Sequence, residues 1–293
     1  MFIDRFKNYL QFEKRFSEHT VMAYLKDISQ FEVFIASSDL DFALVTHQDV
    51  RSWMVSLLEV KCSARTVNRK LSVLRSFYKF LQREKLLEKN PTLQVKAPKV
   101  AKRLPAIINE DKLNTLLDSD VPFSADFEGQ RDRLVLEFLF GTGIRLAELI
   151  AIRSEDIDKY GQSVRIYGKR RKERIVPLYP SLVKLIDKYL DEKNSLPFEN
   201  ISPGLIVTST GKAAYPKLIY RIVKKYLAYI TTSQKSSPHI LRHTFATSLL
   251  NDGADLNAIK ELLGHASLAA TQVYTHNSAE KLKSIYKQAH PRA

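Results

Sequence analysis

From Phe2 to about Lys89 apolar residues recur at spacings of three and four, as in Tyr24, Ile28, Phe31, Phe34 and Ile35 and again in Val67, Leu71, Leu74, Phe77, Tyr78 and Leu81. That period lines the apolar side chains along one face of a helix, and four amphipathic helices account for the segment. Ser17, Thr46 and Ser63 precede the periodic runs with side-chain oxygens suited to capping a helix N-terminus, and Asn90-Pro91 is a stop signal. Residues 92–105 break the pattern with two prolines and with Lys96, Lys99, Lys102 and Arg103, and they read as a basic linker. Helical periodicity resumes after Pro105. Asn109-Glu110-Asp111 opens one helix, and a strongly apolar run from Arg131 to Phe140 is ended by Gly141-Thr142-Gly143. Val164 and Ile166 before Gly168, with Ile175 and Val176 after Arg174, predict a β-hairpin over 163–178 whose tip is basic. Helices return at Ser181, Tyr215, Pro238 and Asp255. The chain therefore reads as mainly α with a small β-sheet, in an N-terminal helical domain (1–91), a linker (92–105) and a C-terminal mixed domain (106–293).

Composition agrees with two domains, since 293 residues at 44% hydrophobic content suffice for a core in each. A formal charge of +14 favours a polyanionic partner, because every phosphate neutralised releases condensed counterions. In the N-terminal bundle Lys61, Arg65, Arg69, Lys70 and Arg75 are the candidate phosphate contacts, and the basic linker would let both domains close on a duplex. No basic amphipathic anchor, lipidation signal, apolar signal core or run of 18 apolar residues occurs, so no membrane partner and a cytoplasmic location are expected. The single cysteine, Cys62, excludes an internal disulfide and argues against a thiolate metal cage.

The chemistry concentrates in the second half, in the phrases Gly141-Thr142-Gly143-Ile144-Arg145, Gly168-Lys169, His239-Ile240-Leu241-Arg242-His243 and Leu263-Gly264-His265, with Tyr274 nine positions after that histidine. Attack at phosphorus puts charge on the non-bridging oxygens, and without a metal fixed donors must hold it. Arginine suits this task, because its planar fork donates two hydrogen bonds and stays charged. Arg145 follows a glycine-rich turn where backbone can approach a ligand. Arg242 lies one helical turn after His239, so the two share a face. Two other patterns fail on inspection. His239 and His243 have zinc spacing, but no Glu follows His239 and Arg242 would repel a cation. Gly211-Lys212 is followed by Ala213, not by the Ser or Thr of a phosphate loop. No metal and no cofactor are expected.

Together these phrases resemble the tyrosine recombinase (integrase) family over nearly the whole chain. The segments Leu-Gly-His-Ala-Ser-Leu-Ala-Ala-Thr-Gln-Val-Tyr-Thr-His (263–276) and His-Pro-Arg-Ala (290–293) are similar to those of the bacterial Xer recombinases. The resemblance implies an N-terminal four-helix, SAM-like core-binding domain and a C-terminal catalytic domain forming a C-shaped DNA clamp. It implies a pocket of Arg145, Lys169, His239, Arg242 and His265, with Tyr274 as the nucleophile that forms a 3′-phosphotyrosine. Glu148 matches an acidic position that supports the pocket, although a helix-surface ion pair explains it equally well. Because a phenol is largely protonated at neutral pH, Tyr274 needs cationic neighbours or a proton acceptor, for which His265 is the candidate. Lys169 at the hairpin tip is placed to protonate the leaving 5′ oxygen; the alternative is that the run Lys169-Arg170-Arg171-Lys172-Glu173-Arg174 is only a phosphate-binding loop, which fits Arg170 and Arg171 best.

The implied reaction passes through a Holliday junction without ATP, on double-stranded DNA carrying a dif-type site, in a tetramer on two sites. A second Xer recombinase and an FtsK-type translocase are the partners the resemblance implies, and chromosome-dimer resolution at cell division the role. Ala279, Leu282, Ile285 and Tyr286 give the segment after Tyr274 an apolar stripe, which would dock into a neighbouring subunit or fold back onto its own domain. The competing readings are a mobile-element integrase, a type IB topoisomerase-like relaxing enzyme, and an architectural DNA-binding protein without chemistry.

Overall fold

The computed structural model describes residues 2–100, 108–168, 173–198, 202–231, 236–264, 285, 286, 288–290 and 292. It divides into two compact units, Met1–Leu104 and Pro105–Ala293. In the first, α1 (Phe2–Asn8) runs into a π-helical turn and is followed by α2 (Glu18–Ala36), α3 (His47–Glu59) and α4 (Ala64–Arg83). The starts follow local chemistry. Ser17 and Ser63 accept hydrogen bonds from the backbone N–H of Thr20 and Thr66, and Asp49 accepts from the Thr46 N–H at 2.8 Å. The apolar faces meet in a core of Phe6, Phe31, Trp53, Leu71, Leu74 and Phe77.

Two expectations for this unit need correction. Helix α4 ends at Arg83, seven residues before Asn90-Pro91, because Lys85 takes up left-handed backbone at φ 56° and Leu86 N–H turns back to the Leu81 carbonyl. Lys70 is not an exposed phosphate contact. It is buried, and its Nζ donates to Asp27 Oδ1 at 2.8 Å. Arg69, still exposed, pairs with the same carboxylate, and Arg75 donates to the Val95 carbonyl. The start of the predicted linker belongs structurally to this unit: Val95 is in its core, and Arg51 and Asn68 donate to the carbonyls of Gln94 and Pro98. Lys96 and Lys99 are exposed, whereas Lys102 and Arg103 lie outside the described residues.

The second unit is organised around α6 (Phe127–Thr142), which is buried along nearly its whole length and packs against α8 (Pro180–Ser195), α9 (Pro216–Leu227) and α10 (Pro238–Asn251). It starts four residues before the predicted Arg131 because Asp126 caps it, accepting from Gly129 N–H at 2.8 Å. Before it comes α5 (Glu110–Asp118), and after it the short α7 (Leu146–Ala151). Strands β2 (Ser163–Tyr167) and β3 (Glu173–Pro177) form the expected antiparallel hairpin, with Ile166 opposite Arg174, and β1 (Ile157–Asp158) adds a third strand. Helix α11 (Leu256–Leu263), capped by Asp255, completes the unit. Among the described residues no helix is long and apolar enough to cross a membrane.

The chain's end folds back onto this same unit. Ile285 packs against its core, Tyr286 and Ala289 are buried in it, and His290 stacks on the Tyr286 and Tyr179 rings. Arg292 pairs with Asp118 at 2.8 Å and Glu137 at 3.0 Å. Ala279 and Leu282 lie outside the described residues.

Candidate active site

The ends of two helices build the site. Helix α6 stops at Thr142, and Gly143 closes it in left-handed backbone at φ 60°. Helix α11 stops at Leu263, and Gly264 closes it at φ 64°. The last carbonyls of a helix have no intrahelical partner and carry its negative dipole end, so they attract cationic donors. Here arginines take them. Arg242, on α10, donates from Nη1 to the Gly143 carbonyl and from Nη2 to the Leu263 carbonyl, each at 2.6 Å. Arg145, the residue before α7, donates from Nη2 to the next carbonyl, that of Gly264, at 3.2 Å. Consecutive peptide oxygens thus set the two guanidinium groups side by side.

A buried carboxylate fixes them from behind. Glu148 accepts from Arg145 twice, from the backbone N–H and from Nη1, each at 2.8 Å. It also accepts from Arg174 on β3, whose Nη1 reaches Oε1 at 3.1 Å and whose Nη2 reaches Oε2 at 2.8 Å. Because α6 is closed at Gly143 and Arg145 is extended with its N–H bonded to Glu148, no helical bond runs from Arg145 to the Gly141 carbonyl. The Tyr286 hydroxyl takes its place at 2.7 Å.

Three guanidinium groups around one carboxylate leave an excess of positive charge. Burial, then the neighbouring Arg145, pushes the Arg242 guanidinium down to about 10, which leaves it protonated at neutral pH. Burial alone would raise the Glu148 carboxyl, but hydrogen bonds from Arg174 and Arg145 outweigh it and hold the group below the usual glutamate range. The arrangement suits binding an oxyanion that gains negative charge as it reacts.

Of the sequence-predicted site residues, Arg145 and Arg242 come together in this frame. His239 is exposed in the first turn of α10, one turn before Arg242. Lys169, His265 and Tyr274 lie outside the described residues, as do Arg170 and Arg171. His265 directly follows Gly264 in the chain, and Lys169 follows Gly168 at the end of β2. The sequence reading places Arg174 only at the end of a basic run that could bind phosphate, although a signal for its buried position was present. Strand parity puts Arg174 on the same face as Val176, and both are buried while Glu173 and Ile175 are exposed. It also passed over α9, where Lys217, Tyr220, Arg221 and Lys224 recur at helical spacing on an exposed face, with Arg221 bonded to the Tyr215 hydroxyl.

Comparison with known proteins decides the family. Residues 107–281 match the model of the phage integrase family, and residues 3–85 match the phage integrase N-terminal SAM-like domain. The chain is 39% identical, over 100% of its length and 97% of the relative, to the tyrosine recombinase XerC of Bacillus licheniformis. The chain is a Xer-type tyrosine recombinase of the phage integrase family. It is also 34% identical to the tyrosine recombinase XerD of Staphylococcus haemolyticus, over 99% of each chain. A crystal structure of the XerH site-specific recombinase bound to difH substrate in a pre-cleavage complex shares its fold, with a TM-score of 0.69 at 22% identity, covering 97% of this chain and 84% of that one. As a tyrosine recombinase the protein is a site-specific DNA recombination enzyme, and the arginine frame lies within the matched catalytic region.

Proposed function

We propose that this recombinase exchanges strands between two DNA duplexes through a 3′-phosphotyrosine on Tyr274 and a Holliday junction, and that it resolves chromosome dimers at dif-type sites. The observation that carries the reading is the pairing of Arg145 and Arg242 on consecutive carbonyls at the end of α11, immediately before His265. On this reading the two guanidinium groups hold the non-bridging oxygens of the scissile phosphate. Tyr274 attacks phosphorus, His265 accepts its proton, Lys169 protonates the departing 5′ oxygen, and His239 adds a hydrogen bond to the phosphate. The freed 5′ hydroxyl then attacks the partner strand's phosphotyrosine, so bond energy is retained and no nucleotide cofactor is needed.

The charge of +14 and the exposed Lys217, Arg221 and Lys224 of α9 support duplex DNA as the partner. The full assembly in this proposal is a tetramer on two sites, with a second Xer recombinase and activation by an FtsK-type translocase. The deciding experiment is a denaturing-gel assay on a nicked suicide duplex with a dif-type site, without magnesium. Wild type should give a covalent protein–DNA band and Tyr274→Phe none. An undiminished band from Tyr274→Phe would remove Tyr274 as nucleophile. Lys169→Ala should regain cleavage on a duplex whose bridging 5′ oxygen is sulfur, since that leaving group needs no acid; absence of rescue would remove the general-acid role.

A further inference from the structure

We infer that Arg174 is a positioning residue for strand cleavage: from β3 it aligns Arg145 through Glu148 and fixes the end of α11 that carries the carbonyls to which both Arg145 and Arg242 bond. This rests on the proposed reading of Arg145 and Arg242 as phosphate ligands. Arg174 is nearly fully buried, at 6% exposure, where an arginine without partners would be costly. It makes three placed hydrogen bonds, to both oxygens of Glu148 and, from Nε at 2.9 Å, to the Leu262 carbonyl. The Glu148 oxygens that receive Arg174 are the same two that receive Arg145. The carbonyl that receives its Nε comes just before those of Leu263 and Gly264, which receive Arg242 and Arg145.

One planar fork therefore spans both supports of the arginine pair. Gly264 leaves room for it, since a Cβ there would stand 3.0 Å from Arg174 Nη1. Arg174 also joins the pair to the hairpin, because it is the second residue of the strand returning from the tip that carries Lys169. Lysine could supply the charge but not three fixed donors in one plane. Losing the alignment by about 1 Å costs on the order of a hundredfold in rate.

The test compares wild type and Arg174→Lys on two suicide duplexes, one with an ordinary scissile phosphate and one with a neutral methylphosphonate there. DNA affinity and thermal melting are measured alongside. The double variant Arg174→Met with Glu148→Gln, which leaves no ionised carboxylate at position 148, compared with Glu148→Gln alone, serves if Arg174→Lys does not fold. The expected result is unchanged DNA affinity, a covalent yield on phosphate reduced between tenfold and a hundredfold on the scale of about 1 Å misplacement, and a smaller deficit on methylphosphonate, which has no charged oxygen to hold. Cleavage within about twofold of wild type, on the same scale, would overturn the inference. So would an equal deficit on both duplexes, which marks a merely structural role. A wild type without any covalent product would overturn the underlying reading itself, and the inference with it.

Discussion

Replacing Gly143 with alanine tests whether backbone geometry at the end of α6 controls the arginine pair. Gly143 has φ 60°, where an alanine costs about 1 kcal/mol or somewhat more. An added Cβ would lie 2.3 Å from Phe245 Cδ1 and 2.7 Å from its Cε1. Phe245 is completely buried, so its ring has nowhere to move, and such overpacking costs about 1–3 kcal/mol. The sum, about 2–4 kcal/mol, corresponds to a melting temperature lower by roughly 4–16 °C for a unit of this size. Gly253 is the internal control. Its φ is 83°, but nothing stands within 4 Å of an added Cβ, so Gly253→Ala should lose only the backbone part, about 1 kcal/mol. The functional effect should separate the variants further. The Gly143 carbonyl holds Arg242 Nη1 at 2.6 Å, and displacing that oxygen should slow covalent cleavage on the order of a hundredfold at a temperature where both variants are folded. Differential scanning fluorimetry and suicide-duplex cleavage read the two effects. If Gly143→Ala melts with Gly253→Ala and cleaves like wild type, neither the clash nor the carbonyl-to-guanidinium tie has the weight assigned to it here.

Glu148→Gln should destabilise the protein by about 3 kcal/mol, because one amide nitrogen must face two arginine donors wherever the side chain flips. Since the folded Glu148 carboxyl is held low, its contribution is complete above the unfolded glutamate range and is lost as pH falls through the folded value. Denaturant melts at neutral and acid pH should show the gap between wild type and variant closing in acid, and a gap independent of pH would refute the assignment. Lys70→Met should lower stability by about 1.5–3 kcal/mol, because the buried Asp27 carboxylate loses its buried partner and keeps only the exposed Arg69, with little change in the salt dependence of DNA binding. A clearly smaller salt slope in binding titrations would return Lys70 to the phosphate contacts. Tyr286→Phe should cost about 1–3 kcal/mol in thermal or denaturant melts by removing the donor to the Gly141 carbonyl. An unchanged melt would show that the chain end contributes nothing there.

What could be read from the sequence was what local chemistry determines. Ser17, Ser63, Asn109 and Asp255 cap helices through their own side chains, so the starts were legible. The six-residue α7 and two-residue β1 are too short for a period to register, and only packing in the second unit makes them form. Lys70 was misread although its spacing was informative. It lies three residues after Val67 and four before Leu74, on the buried face, and only Asp27 and Gln30 on another helix make that position tolerable for a cation. In the site, Arg145 and Arg242 were legible because anion chemistry restricts the side chains that can serve. The oxygens that aim them were not, because backbone carbonyls have no signature of their own. Gly143 and Gly264 were the only trace, each marking a helix end in left-handed backbone.

That frame also explains why the arginine pair is available before DNA arrives. Adjacent guanidinium groups repel, and Arg242 records this together with its burial in a protonation equilibrium pushed down to about 10. Salt bridges to several carboxylates would relieve the repulsion but would leave the donors neutralised. Helix-end carbonyls instead supply partial negative charge without cancelling the net positive charge, and a single carboxylate, Glu148, is shared between Arg174, the Arg145 backbone N–H and one nitrogen of the Arg145 guanidinium. A phosphate that gains charge during attack is then the group that best relieves the remaining repulsion. On the proposed reading, the transition state is favoured over the ground state because the compensating anion completes the cluster only as the reaction proceeds.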